Sequence, residues 1–158
     1  MVLPLGPDSP FCSLSDLVRA HGRARPQAPA LVDEHTRWSY ARLNEVADAV
    51  ASELQRRGIE PGQAVALCAA NSAAAAAVFV GVLRMGAVVV PLPSSLDATT
   101  FGAMLRDSGA TVLWGVPSYL QRALQRAAEL GLRWPAVRLV FVTGEALNET
   151  ARAQLQAS

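Results

Sequence analysis

A layered α/β fold, with a mostly parallel sheet and helices on both of its faces, is what the sequence predicts, on three observations. Between Ala64 and Leu92 two short apolar runs flank an almost wholly apolar helical segment. Apolar runs elsewhere in the chain alternate with segments of helical spacing. Glycines stand where those helical segments stop, at Gly22, Gly58, Gly86, Gly109 and Gly131, and strands alternating with helices closed in this way are the pattern of α/β layers.

Residues 1–12 are expected to be an N-terminal extension and 13–158 one α/β domain. Ser13 with Asp16 three residues later resembles a capping box, which predicts a first helix over Leu14–His21 closed by Gly22. Ala30–Val32 and Arg37–Tyr40 are short apolar or aromatic pieces separated by Asp33, Glu34, His35 and Thr36, the pattern of a hairpin. From Ala41 to Arg57, Leu43, Val46, Ala47, Val50, Ala51 and Leu54 follow a three-four spacing, so one helical stripe is buried. Arg42, Glu45, Asp48, Glu53 and Arg56 fall largely outside it and read as a solvated face.

Ala64–Ala69 is a continuous apolar run between Pro61-Gly62 and Asn71-Ser72, as in a strand buried on both faces. Asn71 or Ser72 can cap a helix over Ala73–Met85, and Gly86 stands where a left-handed residue belongs. Val88, Val89 and Val90 suit a second strand, which Pro91 is expected to terminate because it cannot donate to a ladder. Strand, helix, strand in this order is the βαβ unit, and it implies parallel pairing. A membrane span is the rival reading, since Ala64–Leu83 carries no charge. The break at Asn71-Ser72, the alanine-rich composition and the lack of a basic flank before the segment favour a buried helix.

Beyond this unit Asp97 can cap a helix running to about Ser108, with Gly109 after it, and Thr111–Trp114 is a strand. Leu120, Ala123, Leu124 and Ala127 trace a helix over Pro117–Leu130, with Pro117 acceptable in the first turn. Val137–Val142 is another buried strand, and Asn148 can cap a last helix.

At 158 residues, 51% hydrophobic content and a net charge of +1, the chain is the size of one domain with a substantial core. Its charges are interspersed, with no basic cluster interleaved with aromatic residues, which argues against binding to DNA or RNA. The two cysteines, Cys12 and Cys68, fit free thiols in a reducing cytoplasm. MVLPLGPDSPF lacks a basic start and an apolar signal core, so export is not expected. The sequon Asn148-Glu149-Thr150 is then read as chance.

Chemistry-bearing motifs are scarce. Gly81 and Gly86 have Walker spacing without the following Lys and Ser or Thr, and they lie within and just after a predicted helix. No dinucleotide fingerprint follows a predicted strand, and there is no nucleophile elbow. His21 and His35 have no metal-spaced companions and read as solvated. Thr143-Gly144-Glu145 follows a predicted strand, where α/β sheets often bind ligands, but alone it is more often just a turn.

Three pieces in order carry a family resemblance: WSYARLNEVADAVASELQRRGIEPGQAVAL at Trp38–Leu67, NSAAAAAVFVGVLRMGAVVVPL at Asn71–Leu92, and LRDSGATVL at Leu105–Leu113. Together they resemble the N-terminal part of the adenylate-forming enzymes, the superfamily of acyl-CoA synthetases, peptide-synthetase adenylation domains and luciferases. Arg42 stands where that family usually has Glu, and Gln63 where it usually has Asp. The resemblance implies a fold like part of the N-terminal domain of those enzymes. For complete members it implies ATP, Mg and coenzyme A as cofactors, and a reaction that activates a carboxylic acid as its acyl-adenylate before transfer to a thiol.

The family's machinery comprises a Thr/Ser/Gly-rich loop with a phosphate-holding Lys, an aromatic-Gly-x-Thr-Glu segment, a ribose-binding Asp and a Lys on a mobile C-terminal domain. None of these motifs occurs in the chain, so no cofactor is expected for it alone. The tail admits two alignments. In the first it stops just short of the phosphate loop. In the second it resembles the region after that loop, with a piece missing between Ala110 and Thr111, and Gly144, Glu145 and Ala146 would then be the nucleotide-contacting residues retained. A ligase fragment inactive alone is the leading expectation, with the missing remainder of a ligase as its partner. The alternatives are a non-catalytic module docking to a partner protein, and an unrelated nucleotide-binding α/β domain.

Overall fold

In the computed structural model, residues 12–34, 36–131 and 137–142 are described. The chain runs α1 (Leu14–Ala24), β1 (Pro29–Val32), β2 (Arg37–Ser39), α2 (Tyr40–Arg56), β3 (Ala64–Cys68), α3 (Ala73–Arg84), β4 (Val88–Leu92), α4 (Ala98–Asp107), β5 (Val112–Gly115), α5 (Pro117–Glu129) and β6 (Leu139–Val142). β1 and β2 form the antiparallel hairpin, and Asp33 donates its backbone N–H to Thr36 O at 3.0 Å across the turn. The other four strands make one parallel sheet in the order β4-β3-β5-β6.

The side-chain period of two sends alternate residues of the central strand β3 to opposite faces. Val65 and Leu67 join Val50, Ala51, Leu54, Val78 and Val82 of α2 and α3. Ala66 and Cys68 join Phe101, Leu105, Leu120 and Ala123 of α4 and α5. The sheet is therefore covered on both faces, as the uninterrupted apolar run of β3 requires. A third cluster, Val18, Leu43, Ala47, Ala77 and Val80, seats α1 on α2 and α3.

Helix starts follow the local cap chemistry. Ser13, Ser39 and Ser72 each accept an N–H from three residues on, and Asp97 accepts from both Thr99 and Thr100 at 3.0 Å. After α3, Gly86 takes φ +83°, a left-handed conformation that closes the helix, with the Ala87 N–H donating to Val82 O at 3.2 Å. Gly58, Gly109 and Gly131 also follow their helices with positive φ.

Three expectations are corrected. Gly22 does not end α1, which continues to Ala24; a Cβ at Gly22 would fall 1.8 Å from Asn44 Nδ2, so this glycine lets α1 lie against α2. Pro91 does not terminate β4, which continues to Leu92; among the described strands β4 pairs with β3 alone, and such an edge tolerates a residue without an N–H. The last two strands shift: β5 by one residue, to Val112–Gly115, while β6, expected as a buried strand from Val137, starts at Leu139 and its residues are half-buried. Among the described residues no helix is long and apolar enough to cross a membrane. The helix expected after Asn148 lies outside the described residues.

Candidate functional site

In parallel α/β sheets, ligands bind beyond the carboxyl ends of the strands where the winding reverses. Here α3 follows β3 on one face and α5 follows β5 on the other, so the reversal falls between β3 and β5. At this point the backbones crowd. A Cβ on Gly115 would lie 2.8 Å from Cys68 O and 3.0 Å from Leu120 Cδ2.

The helix start beside the reversal is already satisfied from within the chain. Ser72, rather than Asn71, is the cap of α3 and accepts the Ala75 N–H at 3.1 Å. Asp33, reaching over from the hairpin, accepts the Ala73 N–H at 2.9 Å, and its other carboxylate oxygen accepts the Thr36 N–H at 2.7 Å. A carboxylate thus occupies the positive end of α3, where an anionic ligand would otherwise sit.

Next to this edge lies a groove of about 820 Å³, walled by α1, β1, α3 and the end of β4. Leu14, Val18, Leu31, Phe79 and Leu92 make it apolar, and Tyr40, Asn71 and Ser72 supply its polar groups. Among the described residues none of the side chains lining it is charged at neutral pH. That composition suits apolar contact and offers nothing to neutralise phosphate.

Reactive groups are correspondingly quiet. Burial pushes the Cys68 thiol up to about 11, and Tyr119, close to Cys68, is raised by burial as well. Cys68 is fully buried and stays protonated at neutral pH, so it is no nucleophile. His21 lies against Tyr40 with ring centroids 5.1 Å apart. Among the described residues no group of three His, Cys, Asp or Glu side chains is placed to hold a metal. His35, and the candidate nucleotide contacts Gly144, Glu145 and Ala146, lie outside the described residues.

Sequence reasoning missed Arg84. Only 1% of its side chain is exposed. Its guanidinium donates to Ser15 Oγ at 3.1 Å, to Asn44 Oδ1 at 2.7 Å and to Asn44 O at 3.0 Å, and pairs with Asp48 at 2.9 Å. Its place in the last turn of an apolar helix was the visible signal; partners 36 to 69 residues away were not.

A parallel sheet covered by helices on both faces matches the N-terminal domain of adenylate-forming enzymes. The AMP-binding enzyme family model matches residues 18–114, and the chain belongs to that family. It is 34% identical over 109 residues to a probable non-canonical nonribosomal peptide synthetase, CymA, of Salinispora arenicola, covering 69% of this chain and 1% of CymA. It is 35% identical over 105 residues to the long-chain-fatty-acid–CoA ligase FadD13 of Mycobacterium tuberculosis, covering 65% of this chain and 21% of FadD13.

The fold is similar to the crystal structure of the N-terminal domain of FACL13 from Mycobacterium tuberculosis, with a TM-score of 0.77 at 23% identity, covering 94% of this chain and 37% of that one. It is equally similar to the anthranilate CoA ligase AuaEII in complex with anthranoyl-AMP, with a TM-score of 0.77 at 21% identity, covering 96% of this chain and 28% of that one. The chain thus spans a small part of these relatives and corresponds to the N-terminal part of acyl-CoA ligases and adenylating enzymes.

Proposed function

We propose that this chain is scaffold for the first part of an ATP-dependent acid–thiol ligase lobe and does not catalyse adenylation by itself. In the complete enzyme ATP, Mg and coenzyme A would be the cofactors, with the remainder of the ligase as partner. The observation that carries this reading is the lack of positive charge at this edge among the described residues: Asp33 fills the α3 N-terminus, and none of the described side chains lining the adjoining groove is charged. Phosphoryl and adenylyl transfer need positive charge where negative charge builds up. All 14 basic residues are arginines, so the two lysines that the family resemblance implies have no counterpart in these 158 residues.

Acid-dependent exchange of pyrophosphate into ATP by the purified chain tests the proposal. No exchange above background is expected; clear turnover would overturn it. The free thiols Cys12 and Cys68 support a reducing, cytoplasmic setting.

A second reading, a non-catalytic module docked to a partner protein, is favoured by the open apolar groove, because exposed apolar surface of this kind marks interaction sites. Size-exclusion chromatography with light scattering separates the two states. A monomer that binds no hydrophobic dye would count against docking.

A further inference from the structure

We propose that α1 is a hinged strap along the apolar groove, which lifts away from α2 and α3 while the sheet and its other helices stay folded. The inference goes beyond the ligase reading and does not depend on it.

The apolar anchoring of α1 is thin. Of its 11 residues only Ser15 and Val18 are buried, whereas α2 buries Leu43, Ala47, Val50, Ala51 and Leu54. One side chain of valine size contributes little to holding a helix in place.

Polar bonds make up much of the attachment. Ser15 Oγ accepts from Arg84 Nε at 3.1 Å, and Val18 O accepts from Asn44 Nδ2 at 3.1 Å. When α1 lifts, Arg84 keeps Asn44 and Asp48, so no buried charge is stranded. Ser15 and the Val18 carbonyl pass into water. The open state therefore avoids the penalty that makes most buried ion pairs costly to break.

The pivot is built in. After α1 the chain is tied to the start of α2 by the Tyr40 N–H on Ala28 O at 3.1 Å and the Ala41 N–H on Pro26 O at 2.9 Å. The C-terminal end of α1 is thereby held, while its N-terminal half, with Leu14 and Val18 on the groove wall, carries the two bonds that part when it swings. Lifting it uncovers Leu43 and Val80 and widens the groove.

Native-state hydrogen exchange on the full 158-residue chain tests the strap, because a locally opening helix exchanges ahead of global unfolding. Amides of 18–24 are expected to be less protected than those of 47–56 and 77–84. Ser15→Ala removes the α1 half of the latch and leaves Arg84 paired. It is expected to speed exchange in α1 by roughly tenfold with α2 and α3 unchanged, and to increase binding of anilinonaphthalene sulfonate. Val18→Ala, which weakens the apolar anchor alone, is expected to give the same pattern. Equal acceleration across α1, α2 and α3, no acceleration in either variant, or faster α1 exchange without added dye binding would each overturn the proposal.

Discussion

Gly81 of α3 lies directly on Val50 of α2: a Cβ on Gly81 would stand 2.6 Å from the Val50 Cβ and 3.0 Å from Ala47 O. Nothing at that spacing can yield without moving one helix away from the other. Gly81→Ala is therefore expected to destabilise the fold by about 1–3 kcal/mol despite the better helix propensity of alanine. Adding Val50→Ala, which removes Cγ1 but keeps the Cβ at 2.6 Å, should leave most of the loss in place. Denaturant midpoints of the two variants measure this, and a stabilised Gly81→Ala would mean that the helices are not in contact.

The Arg84 cluster separates a buried cation from its exposed partner. Arg84→Ala leaves Asn44 with unmet bonds in a part-buried site and is expected to cost about 2 kcal/mol. Asp48, whose side chain is 60% exposed, contributes as a surface pair does, so Asp48→Asn should cost under about 1 kcal/mol. Thermal unfolding of both variants should show this ranking; equal losses would contradict it.

At the α3 start, Ser72 and Asp33 satisfy different N–H groups, those of Ala75 and Ala73. Ser72→Ala and Asp33→Ala are each expected to cost about 1 kcal/mol. Urea midpoints give the two values. The Asp33 variant should also loosen the hairpin turn at Thr36, which Ser72→Ala should leave intact.

Cys68 links stability to pH at the alkaline end. Its thiol titrates near 9.0 when unperturbed and at about 11 in the fold, so the native state holds the proton more tightly than the unfolded chain. The contribution is fully present below pH 9.0 and is lost between about pH 9 and 11, at a slope of roughly 1.4 kcal/mol per pH unit. The raised Tyr119 acts in the same direction. Cys68→Ala should flatten the fall in stability across that window. Thiol reagents at neutral pH should modify the exposed Cys12 and spare Cys68 until the chain unfolds.

Much of the fold was legible in the sequence because the signals are local. Caps such as Ser13, Ser72 and Asp97 act within three residues, and the three-four stripe of α2 and the unbroken run of β3 report burial through periodicity alone. The candidate site was less legible. Asp33 caps a helix that starts 40 residues further on, and the groove wall is shared by α1, β1, α3 and β4, none of which signals the others. The motif carried furthest from sequence, Gly144, Glu145 and Ala146, falls outside the described residues.

By itself the sequence determined the order and kind of its elements, the parallel βαβ unit over Ala64–Leu92 and the kinship with adenylate-forming enzymes. The tertiary structure alone decided that β3 lies between β4 and β5, that Pro91 is tolerated on an edge, and that Gly22 marks a helix contact instead of a helix end. It also decided that Arg84 is buried. Each of these depends on which distant segment lies alongside, and chain periodicity records whether a residue is covered without recording what covers it.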